Sequence, residues 1–217
     1  MNVPFSTEQF LSIFEKYNFF VFPFQFLIFI AGLIVLLLIR SEGSRKNLLI
    51  NYFMVFLWLW NGIIYHILFF SEINPAAYGF GALFIIQSVL FIHAGILKKN
   101  TGYEFSGGVN GFIGYFVMVF GLVVYPLLGY FILDDAGKVI SLGLPCPSVI
   151  FTFGLFILST GRFPKYLLII PSIWAVIGFT AVMNFGIYQD VSLLLSAIIA
   201  DVLLLRRKTG TASANPV

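Results

Sequence analysis

The sequence predicts an all-α, polytopic membrane helix bundle with seven transmembrane helices, the N-terminus outside and the C-terminus in the cytoplasm. Three observations predict it. Of 217 residues, 60% are apolar and only 10% charged, against roughly 45–50% and about 25% in an ordinary soluble domain. Seven apolar runs reach or approach the roughly 20 residues that a bilayer core about 30 Å thick demands. The basic residues, finally, fall in short clusters that favour one side of those runs.

Residues 1–18 precede the first span. Thr7 to Tyr17, with Phe10, Leu11 and Phe14 at helical spacing, reads as a short amphipathic helix lying on the membrane surface. Its polar stretch, Ser6 to Lys16, stands where a cleavable signal would carry a basic leader, so no signal peptide is expected. The spans then run from about Phe19 to Ile39, Leu48 to Phe70, Ala77 to Leu97, Gly111 to Leu133, Leu144 to Thr160, Pro164 to Asn184 and Ile187 to Leu205. Backbone groups in lipid must pair within their own segment, which makes these helices. No apolar-polar alternation of a membrane barrel appears. Residues 19–205 form one transmembrane domain, and residues 206–217 a small, polar, disordered cytoplasmic tail.

Charge orients the bundle. Ten bases lie on one side: Arg40, Arg45, Lys46, Lys98, Lys99, Arg162, Lys165, Arg206, Arg207 and Lys208. Only two, Lys16 and Lys138, lie on the other. That asymmetry places the first group in the cytoplasm. The acids lean the opposite way, with Glu8, Glu15, Glu72, Asp134, Asp135 and Asp190 outside. Basic clusters of this kind set topology and do not suggest nucleic acid. The lipid bilayer is the expected partner, and the cell (cytoplasmic) membrane the expected location.

In lipid, helices associate by close packing and a few polar contacts. Gly107, Gly111, Gly114 and Gly121 recur at spacings that align them on one face of the fourth span. That face suits internal packing or a homo-oligomer contact. The heavy phenylalanine content, 27 residues, reads mainly as core filling.

Intramembrane polar groups are the natural place to look for function. Asn51, Trp58, Asn61 and Tyr65 share one face of the second span, with His66 following. They line a solute path or act as interhelical hydrogen-bonding glue. The fifth span opens Gly143-Leu144-Pro145-Cys146-Pro147-Ser148. With Pro147 as the first helical residue, Cys146 is the N-cap at the positive end of the helix dipole, where a thiol is activated. From Pro147 to Thr160 there are 14 residues, about 21 Å at 1.5 Å each, too short for a full crossing. Cys146, His66, Glu72, Asn74, Tyr130 and Asn184 all fall toward the outer half. Cys146 and His66 would suit a soft or borderline metal ion, although one thiol and one imidazole fall short of a standard site. The bland alternative is that Cys146 packs as a small apolar residue. The single cysteine excludes an internal disulfide.

Absences narrow the field. There is no deep lysine in the seventh span for retinal, no His-Glu-x-x-His, no phosphate loop and no Gly-x-Ser-x-Gly elbow. No arginine-rich span and no mid-membrane carboxylate stands out. A classical enzyme is disfavoured, and no cofactor is implied.

Four stretches, Pro4-Phe5-Ser6-Thr7-Glu8-Gln9-Phe10, Tyr65 to Phe70 with Ile73 to Tyr78, Gly143 to Pro147 with Phe151 to Gly154, and Pro164 to Pro171, resemble a family of small bacterial membrane proteins filed as a domain of unknown function. The resemblance runs over almost the whole chain. It implies a bacterial cytoplasmic membrane and agrees with the span count, but it brings no activity and no assigned residues. The residues themselves lead to a protein that binds or transports a small solute or ion through an outward-facing cavity. Its ligand would be held by Asn61, Tyr65, His66, Cys146 and Asn184. The alternative is a non-transporting membrane subunit, chaperone or sensor acting through helix–helix contacts.

Overall fold

The computed structural model describes residues 4–43 and 45–207, so the expected tail lies outside the described residues from Lys208 onward. The fold is all-α apart from one two-residue ribbon. Its helices are α1 (Thr7–Val21), α2 (Phe24–Arg40), α3 (Lys46–Glu72), α4 (Ala77–Leu97), α5 (Val109–Leu133), α6 (Pro145–Ile157), α7 (Lys165–Phe185) and α8 (Tyr188–Arg206). Five of them, α3, α4, α5, α7 and α8, are long and apolar enough to cross a membrane, and six when α1 and α2 count as one bent span.

Ser6 starts α1 with a reciprocal cap. Gln9 N–H donates to Ser6 Oγ at 3.2 Å and Ser6 N–H to Gln9 Oε1 at 2.8 Å. Phe10, Ile13, Phe14, Tyr17, Asn18 and Val21 repeat at helical spacing and form its buried face. Phe19, pointing away, is 88% exposed. Pro23 lacks an N–H and drives Phe22 into extended backbone, so α2 leaves at 88° to α1. The expected first span therefore runs through a corner: its opening residues finish α1, and α2 starts afresh at Phe24. Side-chain bonds hold α1 across its end of the bundle. Tyr17 Oη donates to Gly143 O at 2.8 Å, and Asn18 Nδ2 donates to Gly137 O and Val139 O, both at 2.8 Å.

The fifth expected span is the shorter α6, of 13 residues, about 20 Å long at 1.5 Å per residue. Every residue of it except Cys146 is buried. Its burial on all sides comes from protein: α3, α5, α7 and α8 pack around it. Being enclosed, it need not reach either end of the bundle. Leu142 and Leu144 are buried before it. After it, Ser159–Thr160 pairs antiparallel with Gly102–Tyr103.

Glycine lets α5 and α6 meet backbone to backbone. A Cβ on Gly114 would stand 2.9 Å from Gly154 O, and one on Gly121 would stand 2.8 Å from Pro147 O, closer than real contacts allow. At these two glycines the face is taken up by α6 within the chain. Gly107 and Gly111 do not share it. Gly107 lies before α5 with open space around its Cα, and Gly111 abuts the carbonyl of Ser106 in its own preceding turn. Of the four glycines only Gly114 and Gly121 meet α6: Gly107 precedes the helix, which begins only at Val109, and Gly111, in its first turn, packs against Ser106.

Polar side chains pin the apolar helices. Trp58 Nε1 donates to Thr152 Oγ1 at 3.1 Å and Asn61 Nδ2 to Ser148 Oγ at 3.2 Å, tying α3 to α6. Gln87 Nε2 donates to Leu167 O at 3.0 Å, tying α4 to α7. Asn51 Oδ1 accepts from Thr101 Oγ1 at 3.1 Å. Charge divides the two ends. Arg45, Lys99 and Arg162 share one basin at the basic end, whereas Lys16 pairs with Glu72 at 2.6 Å at the acidic end.

Candidate functional site

A cavity of about 140 Å³ lies at the acidic end, between α1, α3, α7 and the first turns of α6 and α8. Its rim is polar, with Asn74, Thr180 and Asn184. Its walls are aromatic. Phe10 on α1 stacks on Phe185 on α7 with ring centres 4.5 Å apart, and Phe5 lies 5.3 Å from the same ring. Deeper in, Phe14 stacks on Tyr65 at 6.0 Å. The N-terminal segment therefore closes over the space like the side of a box. Cys146 and Asp190 line it from the N-terminal turns of α6 and α8.

Asp190 precedes the regular turns of α8, where an aspartate ordinarily caps the helix. Its side chain makes no capping bond. It turns inward instead, 2% exposed. Tyr125 Oη donates to Oδ1, and Cys146 Sγ donates to Oδ2 at 3.5 Å. The only ion pairs among the described residues are Lys16–Glu72 and Lys138–Asp135, so no such cation reaches this carboxylate. The sequence had set Asp190 among the acids of the outer end without singling it out; the fold keeps it at the acidic end but buries its side chain.

The thiol is also placed differently from its expectation. Leu144 is the extended N-cap of α6 and Pro145 its first helical residue, with the Ser148 N–H returning to Leu144 O at 3.3 Å. Cys146 therefore sits within the first turn, half-buried and facing the cavity. A thiolate there would confront the Asp190 carboxylate. The geometry casts Cys146 as an S–H donor, not as an activated nucleophile.

Of the five expected ligand residues, Tyr65, Cys146 and Asn184 line the cavity. Asn61 and His66 do not. Asn61 Nδ2 donates to Leu57 O and Ser148 Oγ, at 2.8 and 3.2 Å, while its Oδ1 is buried without a partner. His66 is fully buried behind the wall, its ring centre 4.7 Å from Phe84, 4.9 Å from Trp174 and 5.0 Å from Tyr65. Neither of its nitrogens has a partner. The cavity thus holds the thiol but not the imidazole. Among the described residues no group of three or more His, Cys, Asp or Glu converges, so the expected metal site lacks the donors such sites need.

Sequence reasoning missed Asp190, Tyr125 and the wall residue Trp174. Trp174 Nε1 is buried without a hydrogen-bond partner. The available signal was an acid bordering an apolar run, and it is easily mistaken for a cap. The α3 segment behind the cavity, Asn61–Phe69, has widened i→i+5 turns, a feature often found beside functional sites.

No curated protein and no solved structure matches the chain. A family model does, over residues 7–215. The chain belongs to the family of unknown function DUF6064.

Proposed function

We propose that this protein is a multi-pass protein of the cell membrane that binds a small solute in the aromatic cavity, entered from the outside, and carries it or responds to it. The observation that supports this most is one cavity combining aromatic walls with a polar, acidic floor in an otherwise apolar bundle. Pockets of that composition, mostly apolar with a few convergent polar groups, are where small ligands bind. The ten-to-two division of the bases supports the cavity end facing outward and the basic end facing the cytoplasm. Counting α2 and the enclosed α6 as one passage each gives seven passages, in keeping with α1 at the acidic end and the last turn of α8 at the basic end.

Cys146 is the one thiol in the chain, so it reports directly on access. A small membrane-impermeant methanethiosulfonate added outside sealed cells is expected to modify it in the folded protein. Ala181→Phe fills the cavity beside it and is expected to slow the modification sharply. Modification only from the inner side, or only after denaturation, would overturn the reading. Accumulation of a labelled solute in sealed vesicles identifies a carrier, and saturable binding without accumulation identifies a receptor.

A further inference from the structure

We infer that the cavity selects a small organic cation, an ammonium carrying one compact apolar group, over a neutral solute of the same size. The inference deepens the small-solute reading and rests on it. Charge is the first ground. The Asp190 carboxylate is 2% exposed and receives only neutral donors, Tyr125 Oη and Cys146 Sγ. A buried charge is costly unless a counter-charge is supplied. Among the described residues the protein supplies none, and a cationic ligand does.

The walls point the same way. Phe10, Phe14, Tyr65, Phe80 and Trp174 bring aromatic rings to the cavity, and ring faces carry the negative side of the aromatic quadrupole, which attracts ammonium groups. An anion would meet the Asp190 carboxylate and be repelled by it. Size sets the limit. About 140 Å³ is close to the ~150 Å³ void that accepts a single benzene molecule in another protein. One ring or an equivalent alkyl group fits with its ammonium at the floor, while a second ring does not.

Three near-isosteric probes test the inference: benzylamine, benzyl alcohol and toluene, titrated calorimetrically against the full chain in lipid nanodiscs at neutral pH with empty nanodiscs subtracted. Benzylamine is expected to bind about tenfold more tightly than benzyl alcohol or better, the size of a desolvated cation–π and ion-pair preference. Asp190→Asn is expected to bring the two within about twofold of each other while benzyl alcohol binding persists. Phe10→Leu keeps apolar volume and removes one ring face, and is expected to weaken benzylamine more than toluene. It provides an independent variant should Asp190→Asn not fold. Equal binding of benzylamine and benzyl alcohol to the wild type would overturn the cation inference and leave the cavity reading standing. Failure of all three probes to bind would remove both.

Discussion

Asp190 is the residue on which the cavity's chemistry turns, and Tyr125 is its strongest neutral neighbour. Tyr125→Phe removes a donor to a charged group and is expected to cost about 1.5–3 kcal/mol of stability, measured by denaturant unfolding in detergent. Tyr130→Phe, at a residue 43% exposed, is the control and should change little. Asn61→Leu acts elsewhere. It removes the hydrogen bond to Ser148, and interhelical bonds of this kind are worth about 0.6 kcal/mol on average, so a small loss of stability with unaltered cavity labelling is expected. At this scale the sequence was half legible. Cys146 was visible because it is a lone thiol between two prolines. Tyr65 and His66 looked equivalent, yet adjacent helical residues point roughly a quarter-turn apart, so one faces the cavity and the other is sealed behind it. Asp190 was hidden because whether an acid caps its helix or turns inward depends on what packs beside it.

The helices owe their arrangement to α6. Its backbone meets α5 at Gly114 and Gly154, where a Cβ on Gly154 would stand 2.6 Å from Gly114 O. Gly114→Leu is expected to abolish folded, monodisperse protein in size-exclusion chromatography, whereas Gly107→Leu, with open space around it, should behave as wild type. Equal tolerance at both positions would contradict the α5–α6 contact. The glycine spacing was readable in the sequence, but the partner was not, because Gly154 stands among phenylalanines that give no directional signal. α1 is the second organising element. Tyr17 and Asn18 fasten it to the connection between α5 and α6 through Gly143, Gly137 and Val139 carbonyls. Tyr17→Phe with Asn18→Ala should loosen this side of the box and speed thiol modification of Cys146; an unchanged rate would mean that α1 does not limit entry. Pro23 breaks the expected first span, and these long-range bonds help to set the size of the turn.

For the whole molecule, composition and the length of the apolar runs announced an apolar helical bundle, and the fold contains helices long and apolar enough to cross a membrane. Counting the crossings was harder. Hydropathy registers an apolar run without revealing whether lipid or protein surrounds it, so the short, enclosed α6 was counted as a span and the first span was drawn straight through the corner between α1 and α2. The separation of basic and acidic ends was legible because it depends only on which loops carry the charges. The cavity was not: its walls come from residues as distant as Phe5, Tyr65 and Phe185, which only the packed bundle brings together. The most direct test of the central claim is the rate at which an outside-added methanethiosulfonate modifies Cys146 with and without saturating ring-sized solute. Occupancy of the cavity predicts that benzylamine slows the reaction and that Ala181→Phe removes this protection. A rate that neither benzylamine nor benzyl alcohol alters would contradict a solute site beside the thiol.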